Sequence, residues 1–248
     1  MFYFKFGIIT YMSNIGCQMT DVRKKGFTLL ELLITIAILA ILISMVVFLL
    51  NPAEILRKSR DAQRLSDMTT LRAALGLYVV STNQPKLDNA VNSDTYCAGG
   101  TGSDLIWVSY PSDSPGAVIT DLPPVGSAFV AFKQVSNTDI YKVDGSGWIP
   151  TPLDSIKGGA PISNLPVDPV NRVNSVSNIT NLDLIYRYAC RTGLASTKPH
   201  TFEINGRLES EFYGESGEDD KAAKDGGNNA KLFEVGSNLT ILPDTNDF

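Results

Sequence analysis

The sequence predicts an α+β protein in which a long N-terminal α-helix packs on a small antiparallel β-sheet. Residues 27–50 form an almost unbroken apolar run, and residues 53–80 repeat apolar side chains at helical spacing. From residue 81 onward, short runs rich in Val, Ile, Tyr and Phe alternate with turn residues, as strands do. We therefore expect a transmembrane helical half at 27–52, an amphipathic half at 53–80 and a β head at 81–248.

The apolar run contains a single charged residue, Glu31. Its 24 residues would rise roughly 36 Å as an α-helix, enough to cross a hydrocarbon core of about 30 Å. Asn51-Pro52 interrupts the pattern, and proline removes a backbone donor and clashes with the preceding turn. We predict one continuous helix over residues 27–80, kinked near Pro52.

The second half of this helix has one apolar stripe that requires a covering domain. Spacings of three and four residues place its members on one face. They are Leu65, Met68, Leu71, Leu75 and Tyr78.

Three arginines of the same segment, Arg57, Arg60 and Arg64, lie on another face. Acidic residues at positions 54, 61 and 67 flank them, and the whole chain has a net charge of -5. Binding to nucleic acid rewards positive charge, so this balance argues against it. We expect a solvated or intersubunit face.

The predicted head contains seven short strands separated by loops. An Asn205-Gly206 pair predicts a two-residue hairpin turn. Repeated prolines between residues 111 and 169 predict irregular structure with edge strands. The predicted strands are 105–110, 128–132, 140–143, 184–190, 201–204, 208–212 and 232–235.

Two of the three cysteines, Cys97 and Cys190, follow the apolar run and would share a compartment. A disulfide between them would close a long loop and stabilise the fold by roughly 4–5 kcal/mol. Sequence alone leaves a second interpretation open, in which both are unpaired buried thiols.

Enzymatic chemistry has little support in this sequence. There is one histidine, His200, and no Ser/His/Asp set, Gly-rich phosphate loop or Cys/His metal spacing around it. We predict that the protein is not an enzyme and has no organic cofactor. An anchored enzyme or binding protein with a single membrane pass remains the alternative of another class.

The stretch KKGFTLLE at residues 24–31 resembles the class III signal of type IV prepilins and pseudopilins. The resemblance implies that residues 1–26 are a leader, with translation starting at Met19 as our expectation. It also implies that a prepilin peptidase cuts after Gly26 and methylates the new N-terminal residue, Phe27. Basic residues before the cut should hold the leader on the cytoplasmic side.

In this family a glutamate at the position of Glu31 is taken to pair with the free amine of residue 1 of a neighbouring subunit. Here that amine would belong to Phe27, with Thr28 beside the contact. A charged carboxylate in apolar surroundings is costly unless it is paired. Thr28 and Glu31 also match a capping box, which would satisfy backbone donors at the helix start, and both roles can hold together.

The acidic loop near the C-terminus is similar in kind to the C-terminal region of major pseudopilins, which carry a Ca²⁺ site. Its oxygen donors suit Ca²⁺, but the spacing is not that of an EF-hand. A flexible acidic loop is the alternative. The candidate ligands are Asp219, Asp220, Asp225 and Asn228.

The resemblance implies a prepilin that assembles into a homo-oligomeric, type IV pilus-like filament for adhesion or motility. A pseudopilin of a type II secretion or competence system is the alternative within the family. The implied partners are the prepilin peptidase and an inner-membrane assembly platform with its ATPase. We expect a single pass in the inner membrane with the head extracytoplasmic, then a surface filament whose core is the apolar helix.

Overall fold

The computed structural model describes residues 26–89, 96–98, 103–113, 118–125, 127–192 and 200–244, and the side chain of Phe48 is outside that description. The leader prediction, Met19 and Cys17 therefore lie outside the described residues. The chain divides into two units, Met1–Leu50 and Asn51–Phe248.

The first unit contributes helix α1, Leu29–Leu50. Leucine, isoleucine and valine dominate it, and no glycine or proline interrupts it. Its described side chains are exposed all round. A helix of this kind obtains its hydrogen bonds internally and leaves its apolar surface to its surroundings.

The second unit begins with helix α2, Pro52–Ser81. The predicted single helix with a kink at Pro52 is wrong in this respect, because the structure has two helices separated by Asn51. Asn51 adopts a left-handed backbone conformation, with φ of 39° and ψ of 76°. A residue before proline is disfavoured in the right-handed helical region, and asparagine tolerates the left-handed one. Pro52 then serves as the first residue of the new helix, where its missing N–H costs nothing.

The head contains a five-stranded sheet in the order β2-β1-β3-β4-β5. The α+β architecture is confirmed, but the sheet is mixed rather than antiparallel, because β1 and β2 pair in parallel. The other three pairings are antiparallel. The strands are β1 (Asp104–Val108), β2 (Phe129–Lys133), β3 (Tyr186–Arg191), β4 (Thr201–Gly206) and β5 (Phe233–Gly236).

Both faces of the sheet are covered. The buried row of α2 packs on one face, as the apolar stripe predicts, and a second cluster built partly from residues 232, 241 and 242 covers the other. From α2 the first core takes Met68, Leu71, Ala74, Leu75 and Tyr78, and from the sheet it takes Trp107, Tyr186, Tyr188, Phe202, Ile204 and Val235.

Two predicted strands are absent from the described chain, and so is the predicted hairpin. Residues 140–143 form a turn followed by irregular backbone, and β4 continues through Asn205 and Gly206 in register with β3. The backbone after β4 turns to α2 instead of pairing with the sheet. The N–H groups of Glu209 and Ser210 donate to the carboxylate of Asp61, at 2.7–3.1 Å. Because these backbone N–H groups bond to Asp61, they are not available for a sheet, and the predicted strand at 208–212 does not form.

Candidate functional site

The described residues that precede α1, 26–28, are exposed and have no regular secondary structure. Gly26 and Phe27 lie before the helix, and 73% of the surface of Phe27 is exposed. A Cβ atom placed on Gly26 would meet no heavy atom within 4 Å. Nothing within the described chain therefore requires glycine at this position.

Thr28 caps the start of α1. The backbone N–H of Glu31 donates to Thr28 Oγ1 at 3.2 Å, and the N–H of Leu32 donates to the Thr28 carbonyl at 3.1 Å. This is one half of the predicted capping box. The Glu31 carboxylate makes no hydrogen bond or ion pair with any residue in the described part of the chain, so the reciprocal half is missing there.

The other polar side chains of α1 satisfy themselves. Thr35 Oγ1 donates to the carbonyl of Leu32, and Ser44 Oγ donates to the carbonyl of Ile41, both at 2.8 Å. Hydroxyls bonded in this way can enter an apolar environment at little cost. Glu31 is thus the one charged group on a surface that is otherwise prepared for apolar surroundings.

The surface of α1 is too apolar to remain in water. Residues Leu29–Val47 are long and apolar enough to cross a membrane, and none of this window is buried. Exposed apolar surfaces of this size mark contacts with lipid or with other chains. The segment therefore combines an exposed apolar helix with one carboxylate that has no partner among the described residues.

A family model described as the prokaryotic N-terminal methylation motif matches residues 22–47. This chain carries the methylation motif. The motif is typical of type IV pilins and pseudopilins, and the resemblance inferred from the sequence is confirmed. No curated protein and no solved structure matches the chain significantly.

The motif-bearing segment supports a precursor of the type IV pilin or pseudopilin kind. A class III signal implies processing by a prepilin peptidase and assembly into a pilus-type system. An apolar helix at this position also supports membrane anchoring. The match ends at residue 47, so the head lies outside it.

Cys97 and Cys190 form a disulfide in the structure, with their Cα atoms 5.0 Å apart. Both residues are fully buried, and Cys190 lies on β3. Thr192 reinforces the connection, because its N–H and its hydroxyl both donate to the Cys97 carbonyl, at 2.7 and 3.2 Å. The bond therefore fastens the loop before β1 to the centre of the sheet.

We predict that the mature protein contains this bond and depends on it. Alkylation of the denatured, unreduced mature chain should label neither cysteine, and alkylation after reduction should label both. Cys97→Ala with Cys190→Ala should lower the free energy of unfolding by about 2–5 kcal/mol. Cys17→Ala in the precursor is the control and should leave stability unchanged. Two freely labelled thiols in the unreduced mature chain would contradict the prediction.

An ion-pair network that the sequence interpretation missed joins α2 to the head. Arg64 is fully buried within its own chain, whereas the sequence predicted that it lies on a solvated or intersubunit face. It makes a two-pronged contact with Asp168, at 2.6 and 2.9 Å, and also contacts Asp61 and Glu209, each at 2.8 Å. Burial alone would lower the pKa of Arg64, but the hydrogen bonds and charge of Asp168, with the bonds to Glu209 and Asp61, raise it above its ordinary value. Arg60 adds a 2.7 Å contact with Glu209.

The candidate calcium ligands have partners within the chain. Asp219 pairs with Lys221 and Lys224 at 2.6 and 2.9 Å. Asp220 and Asp225 accept backbone N–H groups. Within the described ranges, no group of three or more His, Cys, Asp or Glu side chains could hold a metal ion. Calcium binding by these residues and Asn228 stays an untested prediction.

Proposed function

We propose that this protein is the precursor of a filament subunit, cut after Gly26 and methylated on Phe27, and that it serves a structural role in a type IV pilus-like fibre. The observation that carries the proposal is α1. It bears the methylation motif, exposes apolar side chains all round and presents one carboxylate without a partner among the described residues. Such a helix suits storage in a membrane followed by burial among identical helices.

The chemistry of processing would create the partner that Glu31 lacks. Hydrolysis of the bond between Gly26 and Phe27 releases a free amine, which is positively charged near neutral pH. In an apolar filament core, a carboxylate and an amine from neighbouring subunits would satisfy each other. A buried charge without its partner is strongly destabilising. Cleavage would therefore precede assembly, and the pair would set the axial register of the subunits.

Helix α2 offers a second surface for contact between subunits. Its solvent-facing side has an exposed row with no charged residue, spaced by three and four residues as at helix–helix seams. Apolar residues lie at both ends of the row, and uncharged polar ones lie between them. The members are Leu56, Ser59, Gln63, Ser66, Thr70, Ala73, Leu77 and Val80.

Electron microscopy of cells with and without the gene tests the proposal. Surface filaments that depend on the gene and contain the chain would support a pilus role in adhesion or motility. If cells with the gene have no surface filaments, and cells without it lose protein secretion or DNA uptake, the result would instead favour a pseudopilin. A chain that remains anchored and monomeric would favour a membrane-bound enzyme or binding protein.

We predict that Glu31→Ala and Glu31→Gln both impair assembly and leave cleavage largely intact. Both changes remove the negative charge, while glutamine keeps the length of the side chain and its capacity to cap the helix. Filament yield and the ratio of mature chain to precursor are the measurements. Ser44→Ala is a matched control on the same helix, because the Ser44 hydroxyl donates to the backbone carbonyl of Ile41 within that helix.

The glutamine variant separates the two roles of Glu31. Normal filaments with Glu31→Gln but not with Glu31→Ala would show that capping, not charge pairing, is needed. Normal filaments with both variants would disprove any assembly role for the carboxylate.

A further inference from the structure

Exposed apolar side chains gather around β2, which is an edge strand of the sheet. Val125 is fully exposed, and Leu122 exposes 69% of its surface. We define the β2 patch as Val118, Leu122, Val125 and Val130. The other exposed large apolar side chains in the described part of the head lie singly in other segments, and they are Tyr96, Tyr141, Val170 and Leu182. Single exposed apolar residues are ordinary, whereas a cluster of them marks a contact surface.

Hydrogen bonds tie the segment that carries this patch to both ends of β2. The N–H of Ile119 donates to Oε1 of Gln134, directly after the strand, at 2.7 Å. The N–H of Ser127 donates to the carbonyl of Pro124, shortly before the strand, at 3.1 Å. Ile119 also packs against the apolar cluster on the face of the sheet away from α2. The β2 patch therefore belongs to one side of the head.

The exposed row of α2 lies on another side of the head. Helix α2 packs against β4 and β5, and the sheet order places β2 three strand spacings from β4. Neighbouring strands lie about 4.8 Å apart, so β2 is roughly 14 Å from β4. The C-terminal end of the row is apolar and consists of Ala73, Leu77 and Val80, and the last two expose 48 and 86% of their surface. The two apolar surfaces of one chain therefore do not cover each other.

Each of these surfaces carries a single charge, and the two charges have opposite signs. The only charged residue at 68–81 of α2 is Arg72, which is exposed, and the only one at 118–132 is Asp121. The Asp121 carboxylate accepts the N–H groups of Leu122 and Ile179, at 2.9 and 2.6 Å. Neither charge has an ion pair among the described residues. Opposite charges on two surfaces steer them together and favour a single register.

A contact between two different surfaces of the same chain is heterologous. Such a contact does not stop at a pair of copies, because each added copy offers the same free surface again, and it builds rings or helical filaments. One contact of this kind would cover both apolar surfaces and place Arg72 of one copy near Asp121 of the next. A second copy of this chain therefore satisfies the apolar character and the charge of both surfaces at once.

We propose that the β2 patch of one subunit docks on the C-terminal apolar end of the α2 row of the next subunit, so that the heads join side by side in the outer layer of the fibre. This inference rests on the proposed function, because it names the contact between heads in that fibre. It involves residues of α2 and the head alone. The pairing of Glu31 with the amine of Phe27 belongs to α1 and is a separate contact.

Cross-linking within filaments formed by the full chain tests the contact. Once the leader is removed, the mature chain has no cysteine besides Cys97 and Cys190, which form the disulfide. An introduced cysteine is then the free thiol. Leu77→Cys combined with Val125→Cys, treated with a short bis-maleimide, should give a ladder of covalent oligomers. Val125→Cys alone should give no oligomers, because position 125 of one copy faces position 77 of the next.

Leu182→Cys combined with Leu77→Cys is the matched control. Leu182 is 58% exposed but lies outside the patch, next to Asn181, whose carbonyl accepts a hydrogen bond from Arg207 at the end of β4. An equal ladder from this control pair would overturn the proposal, and so would a dimer from Val125→Cys alone, which indicates a two-fold contact. Filaments that form without a ladder from positions 77 and 125 would overturn the head contact alone. A processed chain that forms no filaments would overturn the proposed function as well.

Charge exchange tests the same contact without a cross-linker. Arg72→Glu should repel Asp121 of the neighbour, and Val125→Lys should repel Arg72. Each single change should lower the filament yield by about tenfold, which corresponds to about 1.4 kcal/mol per contact. The two changes together restore an attractive pair and should recover the yield. Both positions are exposed, so the melting temperature of the head should stay the same. Single variants that assemble like the wild type, or a double variant with the combined loss of both, would overturn the proposal.

Discussion

Replacement of Gly26 with valine is expected to leave the precursor uncut. A peptidase must approach the carbonyl carbon of residue 26 closely, and glycine alone offers no side chain in the way. A displacement of about 1 Å in an active site is enough to slow a reaction by about a hundredfold. The measurement is the ratio of precursor to mature chain in membranes of cells that express each form.

The surroundings of Gly26 make this result easy to interpret. A side chain at this position meets nothing in the described chain, so Gly26→Val should not disturb folding. Gly26→Ala should give an intermediate ratio. Gly76→Ala is the matched control, because Gly76 also has open space around it but lies on α2. Complete maturation of Gly26→Val would remove the basis for a cleavage site here.

Replacement of Arg64 with leucine is expected to lower the free energy of unfolding by about 3–5 kcal/mol. The change leaves Asp61 and Asp168 fully buried without the cation that they face. Asp168 also accepts the N–H groups of Val170 and Asn171, and Asp61 accepts those of Glu209 and Ser210. Loss of the arginine should therefore loosen two backbone segments of the head together with α2.

Arg57→Leu is the control for this prediction. Arg57 lies two turns earlier on α2, is 44% exposed and has one contact at 3.8 Å, with Glu54. An exposed pair of this kind contributes about 0–1 kcal/mol. Denaturant unfolding of both variants in detergent gives the comparison. If Arg64→Leu costs no more than Arg57→Leu, the network does not hold α2 to the head.

Helical periodicity was sufficient to predict helical structure over both segments and the buried face of α2, but not the break at Asn51. Of the predicted stripe, positions 68, 71, 75 and 78 are buried under the head, whereas Leu65 is only partly buried. The same spacing continues backwards through Arg64 and Asp61, which are also buried. Charge was a poor guide to exposure at these two positions. Arg64 is buried against Asp168 and Glu209, which are distant in sequence, and only folding brings these carboxylates to it.

Strand order and partners could not be predicted from the residues alone. The parallel pairing of β1 and β2 depends on the path of the chain between them, which has no strong local signal. Asn205-Gly206 has the composition of a tight turn, yet Asn205 is fully buried in β4. Glu203 and Glu234 are charged residues in alternating patterns, which predict a solvated face. Residues near the C-terminus cover that face instead, and only long-range packing determines such burial.

Mass analysis of the N-terminus of the protein isolated from cells tests the central claim most directly. Processing at Gly26 predicts a chain that begins at Phe27 and carries one methyl group on its amine. Isolation of an assembled or surface-exposed chain in which the bond between Gly26 and Phe27 is intact would contradict the account of α1 as a helix released for assembly by cleavage.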